Sequence, residues 1–211
     1  ANDVKLRMDL VLDPNHAPKG VNFELSLFDC QACHHSMSEL QWRPRASTGL
    51  PPGRIKLYDA TAVMLLVVAD RVAPDAAKAL ASHLLALHQA TGDSWDAVKR
   101  EATAVREAAD KLIPAIAGHD FTKDDAAKLS RTVVATAVDG SDLDYSGAQQ
   151  QVMALESIVA AMKQLGFADE KQLAPLDAAL TGLYQAVAND QTFSPDDYVA
   201  AVKAVAAKLP M

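Results

Sequence analysis

Cysteine is nearly absent from this chain: the 211 residues hold only Cys30 and Cys33. No second CxxC and no HxxxH pair accompanies them, so structural zinc lacks the second ligand pair that such sites use. Aromatic residues are scarce too, at 5%, although half of the chain is apolar. Alanine dominates instead, which favours closely packed helices with small residues at their contacts over a strand-rich sandwich. Positive charge is in deficit, with a net charge of −7. That balance argues against a nucleic-acid binder and against a polybasic membrane anchor, and it suits basic protein partners. No apolar run approaches the ~20 residues needed to span a bilayer. The longest, Ala60 to Ala69, reads as a buried helix. A Ser-His-Asp pattern, a phosphate loop and a paired-acid motif are also missing, so hydrolytic or transferase chemistry has no constellation to carry it.

What is present is concentrated in one pentapeptide, Cys30-Gln31-Ala32-Cys33-His34, followed by His35. CxxCH is the spacing of covalent c-type haem attachment: each thiol adds to a haem vinyl group, and the histidine is presented to the iron as an axial ligand. With no other cysteine as background, the expected cofactor is one covalent haem c. Two other chemistries fit the same residues. Zinc could use both thiols and the histidines, and a thiol–disulfide centre could use CxxC after the apolar run Val21 to Phe28. The latter needs further strands and a βαβ crossover, whereas the downstream sequence supplies almost only helices. A plain disulfide or two idle thiols would leave His34 unexplained.

The first 58 residues differ in texture from the rest. Val4, Leu6, Met8 and Leu10 alternate with polar residues, as do Val21, Phe23, Leu25 and Leu27, and a turn-rich segment separates them. This is the period of two strands, a hairpin, leading into the motif. Arg43 to Arg54 is proline- and glycine-rich and reads as irregular, with Ile55 to Tyr58 a third short strand. From Asp59 onward the pattern is helical. Asp59 caps a helix to about Arg71, Pro74-Asp75 opens one to about Ala90, and Ser94 starts one ending near Gly118. Further helices start at caps such as Thr122-Lys123-Asp124-Asp125 and Ser194-Pro195-Asp196-Asp197, and others fit Gly147 to Leu165 and Asp169 to Asn189. The segments 116–125 and 187–197 echo each other, which shared helix-start chemistry explains as well as duplication does. The fold expected is mainly α: a bundle of about six helices with a small N-terminal β-hairpin and haem-binding segment. Residues 1–58 form that segment and residues 59–211 the helical domain, in an arrangement compatible with one compact unit.

With His34 proximal, a sixth iron ligand must come from another segment. His35 adjoins it and Met37 lies one helical turn away on the same side. The candidates are His16, in the loop between the expected strands, and His88, on the second helix, followed by Met64 and His83. Each also has an ordinary reading, as a space-filling methionine or a hydrogen-bonded histidine, and His119 suits a helix end without any metal. Arg43, Arg45 and Arg54 flank the motif in an otherwise acidic chain and suit haem propionates, with Trp42 packing on the ring edge.

Val21-Asn22-Phe23 followed by Asp29-Cys30-Gln31-Ala32-Cys33-His34-His35 resembles the first haem-binding segment of class III multihaem cytochromes, over about residues 18–36 only. The resemblance implies His34 as proximal ligand and Cys30 and Cys33 as attachment points. Bis-histidine ligation does not carry over, because Leu25 and its neighbours replace the upstream family histidines and no further CxxCH follows. The chain begins Ala1-Asn2-Asp3, as a secreted chain looks after its signal is removed. Covalent haem is attached outside the bacterial cytoplasmic membrane, so a periplasmic address is expected. The function expected is that of a monohaem c-type cytochrome carrying single electrons to a basic redox partner protein, rather than an enzyme. A helical part of this size exceeds what a simple shuttle needs, which leaves room for docking, homodimerisation or signalling. A haem-based gas or redox sensor with an open sixth site is the alternative, followed by a zinc or dithiol-redox interaction protein.

Overall fold

The pattern of burial decides the N-terminus, and it decides for a helix. The computed structural model describes residues 1–17, 24–29, 50, 55–139 and 144–210. Helix α1 spans Asn2–Leu12 and buries Val4, Met8 and Val11. Those positions follow the i, i+4, i+7 spacing of one helical face. Leu6 is 60% exposed and Leu10 38% exposed, although a strand would have put both beside Val4 and Met8. The expected first strand is therefore corrected to a helix, and the expected hairpin with it. Val4 and Met8 satisfy both periods; Val11 and the exposed Leu6 break the tie.

The chain then divides into two compact units, one lying within residues 1–119 and the other from residue 120 onward. In the first, α1 is joined by α2 (Ala60–Val72), α3 (Pro74–Ala90) and α4 (Trp95–Ala117). Their core draws on Val4, Met8 and Val11 of α1, Leu65 of α2, Leu80, Leu84 and Leu87 of α3, and Val98, Val105 and Leu112 of α4. Alanines at 97, 102, 108 and 109 are buried along α4, where small side chains let helix axes approach closely. Ion pairs Lys5–Asp110 and Arg106–Asp9 lie at the rim of the α1–α4 contact. Of the second expected strand, Val21 and Phe23 lie outside the described residues, and Leu25–Leu27 forms a single 3₁₀ turn. The third expected strand, Ile55 to Tyr58, contributes one antiparallel bridge, Leu57 to Phe28.

The second unit holds α5 (Lys123–Val138), α6 (Tyr145–Gln164), α7 (Glu170–Ala186) and α8 (Pro195–Ala206). Eight helices and no strand thus appear among the described residues, more helices than the six or so expected. The cap residues act as their chemistry suggests. Ser94, Thr122 and Ser194 each accept a backbone hydrogen bond from three residues on, and Thr122 completes a capping box with Asp125. Gly166, at φ 69°, ends α6. The Phe167 amide donates to the Met162 carbonyl at 2.8 Å and the Gly166 amide to that of Lys163 at 3.2 Å, the Schellman closure that a left-handed glycine permits. Within this unit Tyr198 Oη and Gln151 Oε1, both fully buried, share a 2.6 Å hydrogen bond. No helix of the described residues is long and apolar enough to cross a membrane.

Candidate functional site

The described chain leaves for the CxxCH segment at Asp29 and is continuous again from Ile55, and its two ends meet. The Asp29 amide donates to the Lys56 carbonyl at 2.9 Å, and the Tyr58 amide donates to the Leu27 carbonyl at 3.0 Å. These bonds flank the Phe28–Leu57 bridge. Leu27 and Leu57 are buried from the same short pairing, so apolar side chains seat it on the core of the first unit.

Four polar side chains sit beneath this pairing, and all are buried: Asp29 at 6% exposure, Lys56 at 5%, Asp59 at 5% and His88 at 1%. The Lys56 ammonium lies 3.1 Å from Asp29 Oδ2 and 3.1 Å from Asp59 Oδ1. The other oxygen, Asp59 Oδ2, lies 2.9 Å from His88 Nε2. A carboxylate only accepts, so the histidine supplies the N–H from Nε2. Asp59 precedes α2 but makes no side-chain cap bond to it. Its expected capping role is corrected on that point, because both carboxylate oxygens are turned to Lys56 and His88. Thr91, just past α3, has its hydroxyl 2.8 Å from the His88 carbonyl and 3.2 Å from the Ile55 carbonyl. The end of α3 is thereby bound to the residue at which the described chain resumes.

Burying charge in this way is costly unless each ion is paired and hydrogen-bonded. Here each carboxylate meets the ammonium, and the histidine adds a donor. His88 Nδ1 is buried and has no hydrogen-bond partner among the described residues. A small cavity of about 10 Å³, room for about one water, is lined by Val4, Met8, Leu57, Asp59, Leu84 and His88. Arg7 and Tyr58 line it as well, the Arg7 guanidinium stacking over the Tyr58 ring at 4.0 Å and pairing with Asp3 at 2.9 Å. Burial pushes the Asp3 carboxyl up, but hydrogen bonds from Thr61 and Arg7 and the Arg7 charge outweigh it and hold it below its ordinary value.

The residues expected to attach haem, Cys30, Cys33 and His34, lie outside the described residues, as do Arg43, Arg45 and Arg54 and Trp42. Of the candidate sixth ligands, His88 is the buried member of the ion chain. His16 stands in the turn after α1, its amide donating to the Asp13 carbonyl at 3.0 Å and its Nδ1 3.6 Å from Asp13 Oδ2. Met64 is half-buried on α2. His83 is 41% exposed, with Nδ1 3.8 Å from Glu101, and His119 follows α4 at its C-terminal end. Among the described residues, no three or more His, Cys, Asp or Glu side chains gather as a metal site. Sequence reasoning missed Lys56 and the carboxylate pairing of Asp29. The available signal was the Lys56–Asp59 i, i+3 spacing inside an apolar stretch, with Asp29 directly before Cys30. Comparison with protein-family models, with curated proteins and with solved structures finds no match to this chain.

Proposed function

We propose that this protein is a monohaem c-type cytochrome that transfers single electrons. The observation that carries the reading is Cys30-Gln31-Ala32-Cys33-His34 in a chain with no other cysteine. Cys30 and Cys33 are the attachment points, His34 is the proximal ligand, and Arg43 and Arg45 pair with the propionates. A covalent haem supplies one-electron exchange between ferric and ferrous iron, with no bond made or broken in the protein.

The paired segments 24–29 and 55–59 support the reading by holding together the two chain ends between which the motif lies in sequence. Little rearrangement on electron transfer is what a carrier needs, and a buried, hydrogen-bonded anchor resists rearrangement. The donor set also suits the group. A carboxylate that accepts from one ring nitrogen is the usual means of orienting an imidazole whose other nitrogen faces a metal. Asp59 and His88, with Nδ1 left over, have that chemistry. His88 therefore stays with His16 and Met64 as a candidate for the sixth position. The net charge of −7 suits a basic redox partner, and covalent haem attachment suits the periplasm.

Optical spectra of protein matured with a haem-c assembly system test the proposal. A sharp reduced α band that ignores CO is the expected result. A broad high-spin spectrum that CO converts would replace electron transfer with gas sensing. Absence of retained Soret absorption would remove haem altogether and leave zinc or dithiol chemistry at Cys30 and Cys33.

A further inference from the structure

Methionine in a helical protein ordinarily fills space in the core, and two of the described methionines do so: Met8 is 4% exposed and Met162 3% exposed. Met153 does not. It stands on α6 and is 55% exposed, while Gln151, Val152, Leu155 and Met162 belong to the buried face of the same helix. We infer that Met153 is a surface oxidation site, at which the thioether takes an oxygen atom from a hydroperoxide and the fold keeps its stability afterwards.

Oxidation of a methionine needs access to the sulfur and no ionisation, since a thioether has no proton to lose. A sulfur lone pair attacks the terminal peroxide oxygen. The S–O bond forms as the O–O bond breaks, and sulfur gives up two electrons to the peroxide. The proton of the attacked oxygen passes to the other oxygen, which leaves as water or an alcohol. No metal or cofactor takes part. The surroundings of Met153 suit the product as well as the reaction. The Gln150 side-chain amide donates to the Met153 sulfur at 3.8 Å, and a sulfoxide oxygen accepts better than the weakly accepting thioether. Solvent reaches the same exposed side chain, so the new polar group is not left unpaired. On the next turn of α6, Glu156 accepts a hydrogen bond from Tyr184 of α7. The contact between these helices beside Met153 is thus held by a polar bond and not by the methionine. Met8 is the opposite case. It belongs to the core cluster with Val4, Leu84 and Leu87, where the oxidant is excluded and a sulfoxide would be a buried polar group among apolar ones.

Limiting tert-butyl hydroperoxide is added to the folded full-length protein, and tandem mass spectrometry of its peptides assigns the added oxygen. Met153 is expected to be oxidised about tenfold or more ahead of Met8 and Met162, because access to the sulfur sets the rate. In urea-unfolded protein the three rates are expected to converge. Met153→Leu is expected to remove the fast step. Both that variant and wild-type protein oxidised at Met153 alone are expected to keep the urea midpoint of the untreated wild type. Oxidation of Met8 or Met162 as fast as Met153 in the folded protein would overturn the inference. A rate difference that persists in urea would overturn it too, by tracing the preference to local sequence. So would a urea midpoint lowered by the sulfoxide at Met153.

Discussion

Asp59 and His88, 29 residues apart, meet through a buried 2.9 Å hydrogen bond from His88 Nε2 to Asp59 Oδ2. The bond joins the start of α2 to the last turn of α3. Because Asp59 also holds Lys56, it ties those two helices to the segment at which the described chain resumes. An aspartate placed where a helix cap would ordinarily sit has been given to an ion chain instead.

Removing Asp59 would leave Lys56 short of one partner and His88 Nε2 without its acceptor at a buried position. The expected cost of Asp59→Ala is about 3–5 kcal/mol, the range for breaking a buried pair from one side. Urea unfolding followed by circular dichroism measures it. A loss below about 1 kcal/mol, the size of an exposed pair, would show the cluster to be hydrated.

The helical reading of the N-terminus has its own test. Met8 is 4% exposed and Leu6 60% exposed. Met8→Ala is expected to cost about 2–5 kcal/mol as a core truncation, and Leu6→Ala to stay within about 0.5 kcal/mol as a surface change. Equal losses at the two positions would restore the strand, which would place both on one face.

Tyr184 should titrate late. Its hydroxyl donates to the Glu156 carboxylate, and that bond, with burial and the Glu156 charge, pushes the phenol up to about 12. A group raised in the folded state contributes stability that is intact below its unfolded value of about 10 and is lost as pH rises through the folded one. The phenolate absorbance of the folded protein should therefore show a late step that Tyr184→Phe removes. If Tyr184→Phe leaves the late step in place, the Glu156 bond does not persist in solution.

Much of the helical part was legible because helix starts have short-range chemistry. Ser94, Thr122 and Ser194 announce α4, α5 and α8 within four residues, and Pro74 opens α3. The N-terminal helix was not legible. An eleven-residue segment with apolar residues at 4, 6, 8, 10, 11 and 12 fits both periods, and only packing against α4 selects one. The anchor was hidden for a related reason. Asp29, Lys56 with Asp59, and His88 come from three places in the sequence, and nothing local tells a buried charge from a solvated one. The CxxCH spacing is read from the sequence alone, and the haem chemistry proposed for it rests on that spacing.

Intact-mass spectrometry under denaturing conditions, after coexpression with haem-c maturation machinery, tests the central claim most directly. The account predicts a chain carrying the added mass of one haem, which survives acid–acetone extraction and is lost in the Cys30→Ala, Cys33→Ala double variant. The bare polypeptide mass from the wild-type chain would contradict it.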